Sequence, residues 1–256
     1  MSADRRVVVA ADPGALAALV ARKFISRTRA SIKKHGTAGV VLTGGSSGAA
    51  VLRAINESPD RNSVDWAHVD FWWGDERWLP RDHADRNELQ ARRALLSRIP
   101  VDEARVHAFP AADDGLDLDS GARSYAEELA AHAAPGSTLP RFDVLLLGVG
   151  PDGHIASLFP DRSGIREQAA MVVPVRRSPK PPDERLSMTL PAINSAERIW
   201  AVLSGADKAA VIGLAFAGAS AQQVPAAGVH GRRSTVFFVD AAAAAQVPDN
   251  LIRPED

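Results

Sequence analysis

Phe142-Asp143-Val144-Leu145-Leu146-Leu147-Gly148-Val149-Gly150-Pro151-Asp152-Gly153-His154 carries an apolar run into a glycine-rich turn and then presents an acid and an imidazole. So apolar a run suits a strand covered on both faces, the kind found in parallel sheets. Open α/β sheets bind ligands beyond the carboxyl ends of their strands, which is where Asp152 and His154 would stand. An imidazole with an ordinary pKa of about 6.5 is suited to general-base chemistry near neutrality. The competing reading of His154 is a loop histidine that only bonds its neighbours.

Gly148, Gly150 and Gly153 also spell G-x-G-x-x-G, so a dinucleotide fold has to be weighed. That fingerprint requires a long helix after the third glycine and a second strand ending in an acid. Here Pro160 interrupts, and the next apolar run, 171–175, ends in Arg176-Arg177. No nicotinamide or flavin site is expected.

Outward from this segment, short β-branched runs alternate with Ala/Leu-rich amphipathic stretches. Strands are predicted at 7–9, 40–42, 69–73, 171–175, 186–190, 199–203 and 236–239. Helices are predicted after Asp12-Pro13, with Leu16, Leu19, Val20 and Phe24 as the apolar stripe, and over 49–55, 87–96, 120–132 and 207–216. The class that follows is α/β: an open, mainly parallel sheet with helices on both faces. Neither the short acidic piece 110–120 nor the stiff Pro179-Lys180-Pro181-Pro182 reads as a boundary, so 1–256 is expected to form one domain with room for a small lobe.

The 256 residues hold 30 Lys+Arg against 31 Asp+Glu, a net charge of −1, which gives no broad basic face for nucleic acid. An anionic ligand would have to be met by a few placed cations. With no cysteine there is no disulfide framework, thiolate metal site or Cys nucleophile. Neither a signal peptide nor a membrane span is legible, so a soluble cytoplasmic protein without a membrane partner is expected, as a monomer or weak homo-oligomer.

Gly44-Gly45-Ser46-Ser47-Gly48 lies between a strand and a helix, where backbone N–H groups and the helix N-terminus can hold an anion. It lacks the Lys-Ser or Lys-Thr of a nucleotide triphosphate loop. The same residues spell G-x-S-x-G, which leaves open a triad of Ser46 with Asp143 or Asp152 and with His154 or His230. In Trp72-Trp73-Gly74-Asp75-Glu76-Arg77-Trp78, charges sit inside an aromatic cluster, where desolvation is expensive unless they are paired or bound. Arg77 could fork onto phosphate oxygens with Asp75 or Glu76 orienting it. Lys180 and Lys208 are further phosphate candidates. Asp152 with His154 has weak metal-ligand character, and no third ligand has diagnostic spacing, so no metal is expected.

Four segments together resemble the 6-phosphogluconolactonase family: Thr43-Gly44-Gly45-Ser46; Gly74-Asp75-Glu76-Arg77; Gly148 to His154 continuing through Ser157-Leu158-Phe159-Pro160; and Ser178-Pro179-Lys180-Pro181-Pro182 through Arg185. They occur in the family's order and span nearly the whole chain. The sequence departs from the pattern at Pro151, Ile155, Gly48 and Arg86, which bears on local loop contacts. The resemblance implies a fold related to glucosamine-6-phosphate deaminase and ribose-5-phosphate isomerase. It also implies cofactor-free, metal-free hydrolysis of a phosphosugar lactone, with His154 as base and Arg77 and Lys180 on the phosphate beside residues 44–46. A δ-lactone is an activated ester, so a base for water and donors for the oxyanion suffice. Asp152 or a backbone carbonyl would orient His154, and N–H groups of the glycine loops, Gly150 among them, would hold the oxyanion. A sugar-phosphate isomerase or deaminase, recruiting Asp75 or Asp152, and a non-catalytic phosphosugar-binding module remain alternatives.

Overall fold

The computed structural model describes residues 4–248 and 251–253. In chain order the strands are β1 (Asp4–Ala10), β2 (Ala38–Leu42), β3 (Val69–Trp73), β4 (Asp75–Arg77), β5 (Val144–Gly148), β6 (Val172–Val175), β7 (Arg185–Met188), β8 (Arg198–Leu203) and β9 (Ser234–Asp240). The helices are α1 (Pro13–His35), α2 (Gly45–Glu57), α3 (Asn87–Ala94), α4 (Leu118–Ala131), α5 (Ser163–Arg166), α6 (Leu190–Asn194) and α7 (Ala209–Phe216). Among the described residues no helix is long and apolar enough to cross a membrane.

Six strands form a sheet in the order β1-β9-β8-β5-β2-β3, every neighbouring pair parallel. β2 is buried throughout, and β5, β8 and β9 are buried except at one end, which is why their sequences read as continuous apolar runs. α1 packs on α2 and on β1, β2, β5 and β9. Its start follows the sequence: Asp12 accepts the Ala15 N–H at 2.8 Å, Pro13 opens the first turn, and Gly36 at φ 81° ends it. From β2 the chain runs outward to β3, then returns to β5 on the other side of β2 and continues through β8 and β9. The connections after β2 and β5 therefore part in opposite directions, the topological switch point at which such sheets bind ligands.

Three strands depart from the predicted pattern and build a second, antiparallel sheet, β4-β7-β6. Asp75, Glu76 and Arg77, outside the strands predicted from sequence, form β4 and pair with Ser187, Leu186 and Arg185. Gly74 hands the chain from one sheet to the other, its N–H on the Leu42 carbonyl (3.1 Å) and its carbonyl on the Met188 N–H (2.8 Å). The predicted strand 186–190 ends at Met188, because Thr189 caps α6 through the Ala192 N–H and Pro191 sits in its first turn. Helix α2 starts at Gly45, four residues before the predicted start. Its first turn is therefore made by the residues that read as a loop.

Glu76, 1% exposed, ties the two layers together. Its Oε1 accepts the N–H groups of Arg77 (2.8 Å) and Asn87 (2.7 Å), and its Oε2 that of Glu88 (2.9 Å), so it caps α3 from a neighbouring strand. The N-cap residue itself, Arg86, supplies no side-chain cap. Arg86 is fully buried instead, donating to the carbonyls of Leu79, Phe109 and Pro110 and standing 3.8 Å from Glu76. Burial pushes the Glu76 carboxyl up to about 7, against the opposing pull of Arg86 and the three N–H donors.

A folded carboxyl raised above its ordinary 4.5 favours the folded state when protonated. That contribution is complete below the ordinary value and is lost as pH rises through about 7. In urea unfolding the wild type should lose on the order of 3 kcal/mol from this group across the window, and Glu76→Gln should remove that slope. An unchanged pH dependence in the variant would show that Glu76 does not titrate there.

Candidate active site

The carboxyl ends of β2 and β5, with β4 and β7 beside them, enclose a cavity of about 420 Å³. Its walls bring together Gly44, Gly45, Ser46, Asp75, Arg77, Gly150, His154, Lys180 and Lys208, residues that lie up to 164 positions apart, from 44 to 208. Asp152 stands behind the wall, in contact with His154, while Glu76, Asp143 and His230 do not line the cavity.

His154 follows the positive-φ Gly153 and packs beside the Phe159 ring, centroids 4.7 Å apart. Its Nδ1 lies 2.5 Å from Asp152 Oδ1. Burial opposes the Asp152 charge, but the His154 hydrogen bond and charge, with Lys180 Nζ at 3.6 Å, outweigh it and hold the carboxyl well below the usual range. An ionised Asp152 can only accept, so Nδ1 carries a proton, and in the neutral imidazole the lone pair is on Nε2. Gly150 makes room for this pair: a Cβ there would fall 2.0 Å from His154 Nδ1 and 2.4 Å from Asp152 Oδ1. Its N–H bonds the His154 carbonyl at 2.9 Å, which closes the loop on itself.

The oxyanion donors expected from this loop are already engaged. Gly148 N–H donates to Thr43 Oγ1 (3.3 Å), Gly150 N–H to His154, and Gly153 N–H to the Gly150 carbonyl (3.0 Å). Open N–H groups are found at α2 instead. Its N-cap, Gly44, supplies no side-chain bond, and its first turn, with Ser46, holds no acid.

β4 and β7 supply the charges. Arg77 and Arg185 face each other across the antiparallel pair and both line the cavity. Directly opposed like charges are unfavourable unless something neutralises them. Neither Asp75 nor Glu76 orients the Arg77 guanidinium, contrary to the sequence reading: its Nη1 donates to the Asp85 carbonyl (2.7 Å), and its buried Nε makes no hydrogen bond. Asp75 instead accepts from Ser157 Oγ (2.7 Å), and its carbonyl accepts from Asn87 Nδ2 (2.9 Å). Asn87 Oδ1, left unpartnered on the wall, lies where a Cβ at Gly44 would be 1.8 Å away. Arg185 donates to the carbonyls of Lys180, Pro181 and Pro182 and so fixes the loop that carries Lys180. Lys208 Nζ pairs with Asp207 at 2.9 Å.

Asn87 and Arg185 were not among the residues chosen from sequence. Arg185 closes the segment that begins at Ser178, and Asn87 opens a predicted helix, but nothing in their spacing aims either at the cavity. The serine triad does not assemble. Asp143 is at the amino end of β5, accepting the Gly39 N–H (2.9 Å) and pairing with Arg141, while His230 bonds Asn194 and Gly228. No hydrogen bond among the described residues joins Ser46 to a histidine.

A family model described as glucosamine-6-phosphate isomerases/6-phosphogluconolactonase matches residues 11–238. A 6-phosphogluconolactonase of Streptomyces coelicolor is 45% identical over 258 residues, covering 99% of each chain. The solved 6-phosphogluconolactonase of Trypanosoma brucei superposes with a TM-score of 0.81 at 27% identity, over 96% of this chain and 100% of that one. A monomeric glucosamine-6-phosphate deaminase shares the fold, with a TM-score of 0.77 at 20% identity over 94% and 99% of the two chains. The chain belongs to the glucosamine-6-phosphate isomerase/6-phosphogluconolactonase family.

Proposed function

We propose that this chain hydrolyses 6-phospho-D-glucono-1,5-lactone to 6-phospho-D-gluconate, the lactone-opening step of the oxidative pentose phosphate pathway. The observation that carries the reading is the Asp152–His154 pair on a cavity wall that also presents a helix N-terminus and several cations. Its near full-length relatives named 6-phosphogluconolactonase support the same substrate.

In this mechanism His154 Nε2 takes a proton from water as the oxygen attacks the lactone carbonyl carbon. Asp152 stabilises the resulting imidazolium and fixes its tautomer. The tetrahedral intermediate collapses by breaking the bond from that carbon to the ring oxygen, and the imidazolium returns its proton to the departing oxygen. Because the Gly148, Gly150 and Gly153 N–H groups are engaged, the developing oxyanion is offset by the cationic wall, in which Lys180 Nζ stands 3.6 Å from Asp152 Oδ1. No cofactor is required by the chemistry.

The 6-phosphate is assigned to the first turn of α2, residues 44–46, with Arg77, Lys180 and Lys208 around it. Arg185 holds the Lys180 loop through Nε and Nη2, which leaves its Nη1 on the cavity side for an anion. Asn87 Oδ1, buried and unpartnered, is suited to accept from a sugar hydroxyl. An isomerase or deaminase would form ketose or ammonia, whereas lactone consumption yielding only the acid supports the hydrolase.

His154→Ala should lower kcat by roughly 10²–10⁴-fold after subtraction of the spontaneous hydrolysis rate, with little change in KM. Gly150→Ala should approach the same loss without touching the imidazole chemically, because its methyl group would displace the ring from Asp152. Near wild-type turnover in His154→Ala would remove it from the mechanism.

A charge-assisted bond to phosphate contributes about 1.5–3 kcal/mol, so Arg77→Ala should lose roughly ten- to a hundredfold in kcat/KM. Arg77→Lys should recover only part, because a point charge cannot form the bidentate fork. On unphosphorylated gluconolactone, a poor substrate in this reading, Arg77→Ala should lose little more. Equal proportional losses on both lactones would defeat the phosphate assignment.

A further inference from the structure

Outside the catalytic cavity, His107 meets Glu128 and His132, one turn apart at the end of α4. None of the three lines the cavity. His107 is buried and lies flat on Trp72, ring centroids 3.8 Å apart and 9° from parallel. Its N–H bonds the Phe71 carbonyl (2.8 Å) and its own carbonyl accepts the Tyr125 hydroxyl (3.2 Å), so the ring has a fixed position. His107 Nδ1 is 2.7 Å from Glu128 Oε1, and His132 Nδ1 is 3.5 Å from the same oxygen. The i,i+4 spacing of Glu128 and His132 on one helix explains why they share a face.

His107 Nδ1 shares a hydrogen bond with Glu128 Oε1, and His132 Nδ1 lies 3.0 Å from the Glu128 main-chain carbonyl. The two imidazoles nonetheless lie with centroids 4.3 Å apart around one carboxylate oxygen. One ligand atom from each residue lies within 4.8 Å of the others. We propose that His107, Glu128 and His132 form a binding site for a divalent transition-metal ion of the zinc class, with water in the fourth position.

Two imidazoles and a carboxylate are a zinc donor set, and tetrahedral ligands at 2.0–2.1 Å stand about 3.3 Å from each other. The 3.5 Å separation already suits this, the 2.7 Å contact opens as the metal replaces the shared proton, and His132 Nδ1 gives up its 3.0 Å bond to the Glu128 carbonyl. With Nδ1 as the ligand, His107 carries its proton on Nε2, which is buried, makes no hydrogen bond and faces Asp70 Oδ1 at 3.8 Å. Asp70 is itself held by Arg105 at 2.8 Å. A carboxylate behind the ligating imidazole is the arrangement that orients metal-bound histidines. Glu128 and His132 are half exposed, which gives the ion an entry path and the fourth ligand access to solvent. Bound metal would tie the last turn of α4 to the flank of β3, independently of the lactone chemistry.

Zinc titration of the chelator-treated full chain should show one stoichiometric site by calorimetry and a raised Tm. His132→Ala and Glu128→Gln, at half-exposed positions that the core tolerates, should each weaken zinc at least tenfold and remove the Tm shift while leaving lactone hydrolysis unchanged. Cobalt should give a visible ligand-field absorption in the wild type that His132→Ala abolishes. No stoichiometric binding by the wild type, or binding and Tm shifts equal in wild type and both variants, would overturn the site.

Discussion

Two neighbouring parallel strands, β2 and β5, send their connections to opposite sides of the sheet, and the candidate residues gather in the gap this leaves at the strand ends. The gap requires both strands to stop at the same level, and the bond from Gly148 N–H to Thr43 Oγ1 joins their ends there. From one side α2 points its N-terminus inward. From the other, the β5 loop folds back through its own hydrogen bonds and delivers His154. Crowding sets the residue types: Gly44 yields to Asn87, and Gly150 to the Asp152–His154 pair.

The second sheet brings charge to the same place from backbone positions fixed by strand pairing. β4 and β7 present arginines from paired backbone positions, and their burial would be unfavourable without the polar network beneath them. That network is centred on Glu76, whose carboxylate meets three N–H groups, and on Arg86, whose guanidinium meets three carbonyls. Arg86, one of the positions that depart from the resembled pattern, reaches its guanidinium across to the 109–110 segment and does not line the cavity.

The parallel sheet was legible because strands buried on both faces leave uninterrupted apolar runs, as in β2, β5, β8 and β9. The Asp12-Pro13 start of α1 was legible for a similar local reason. The start of α2 was not, since glycines carry no helical signal and Gly45 itself has φ 77°. β4 was illegible as a strand: three charged residues pair only because β7 lies beside them, more than a hundred positions later. Among site residues, the motif glycines, His154 and the cations could be named from sequence, and the structure brings them to one cavity. Asn87 and Arg185 act through partners fixed by the tertiary fold, and the Glu128–His132 spacing gains meaning only once His107 is seen between them.

The opposition of Arg77 and Arg185 has a consequence for the protein between turnovers. Two guanidiniums on one wall, with Asp75 as the acidic group acting on Arg185, attract small dianions, most strongly at low ionic strength, where screening is weakest. Inorganic phosphate carries the group that this site is proposed to hold, without the sugar. The substrate would then enter by exchange with a resident ion rather than by filling an empty space, and its apparent affinity would vary with the phosphate content of the surrounding solution.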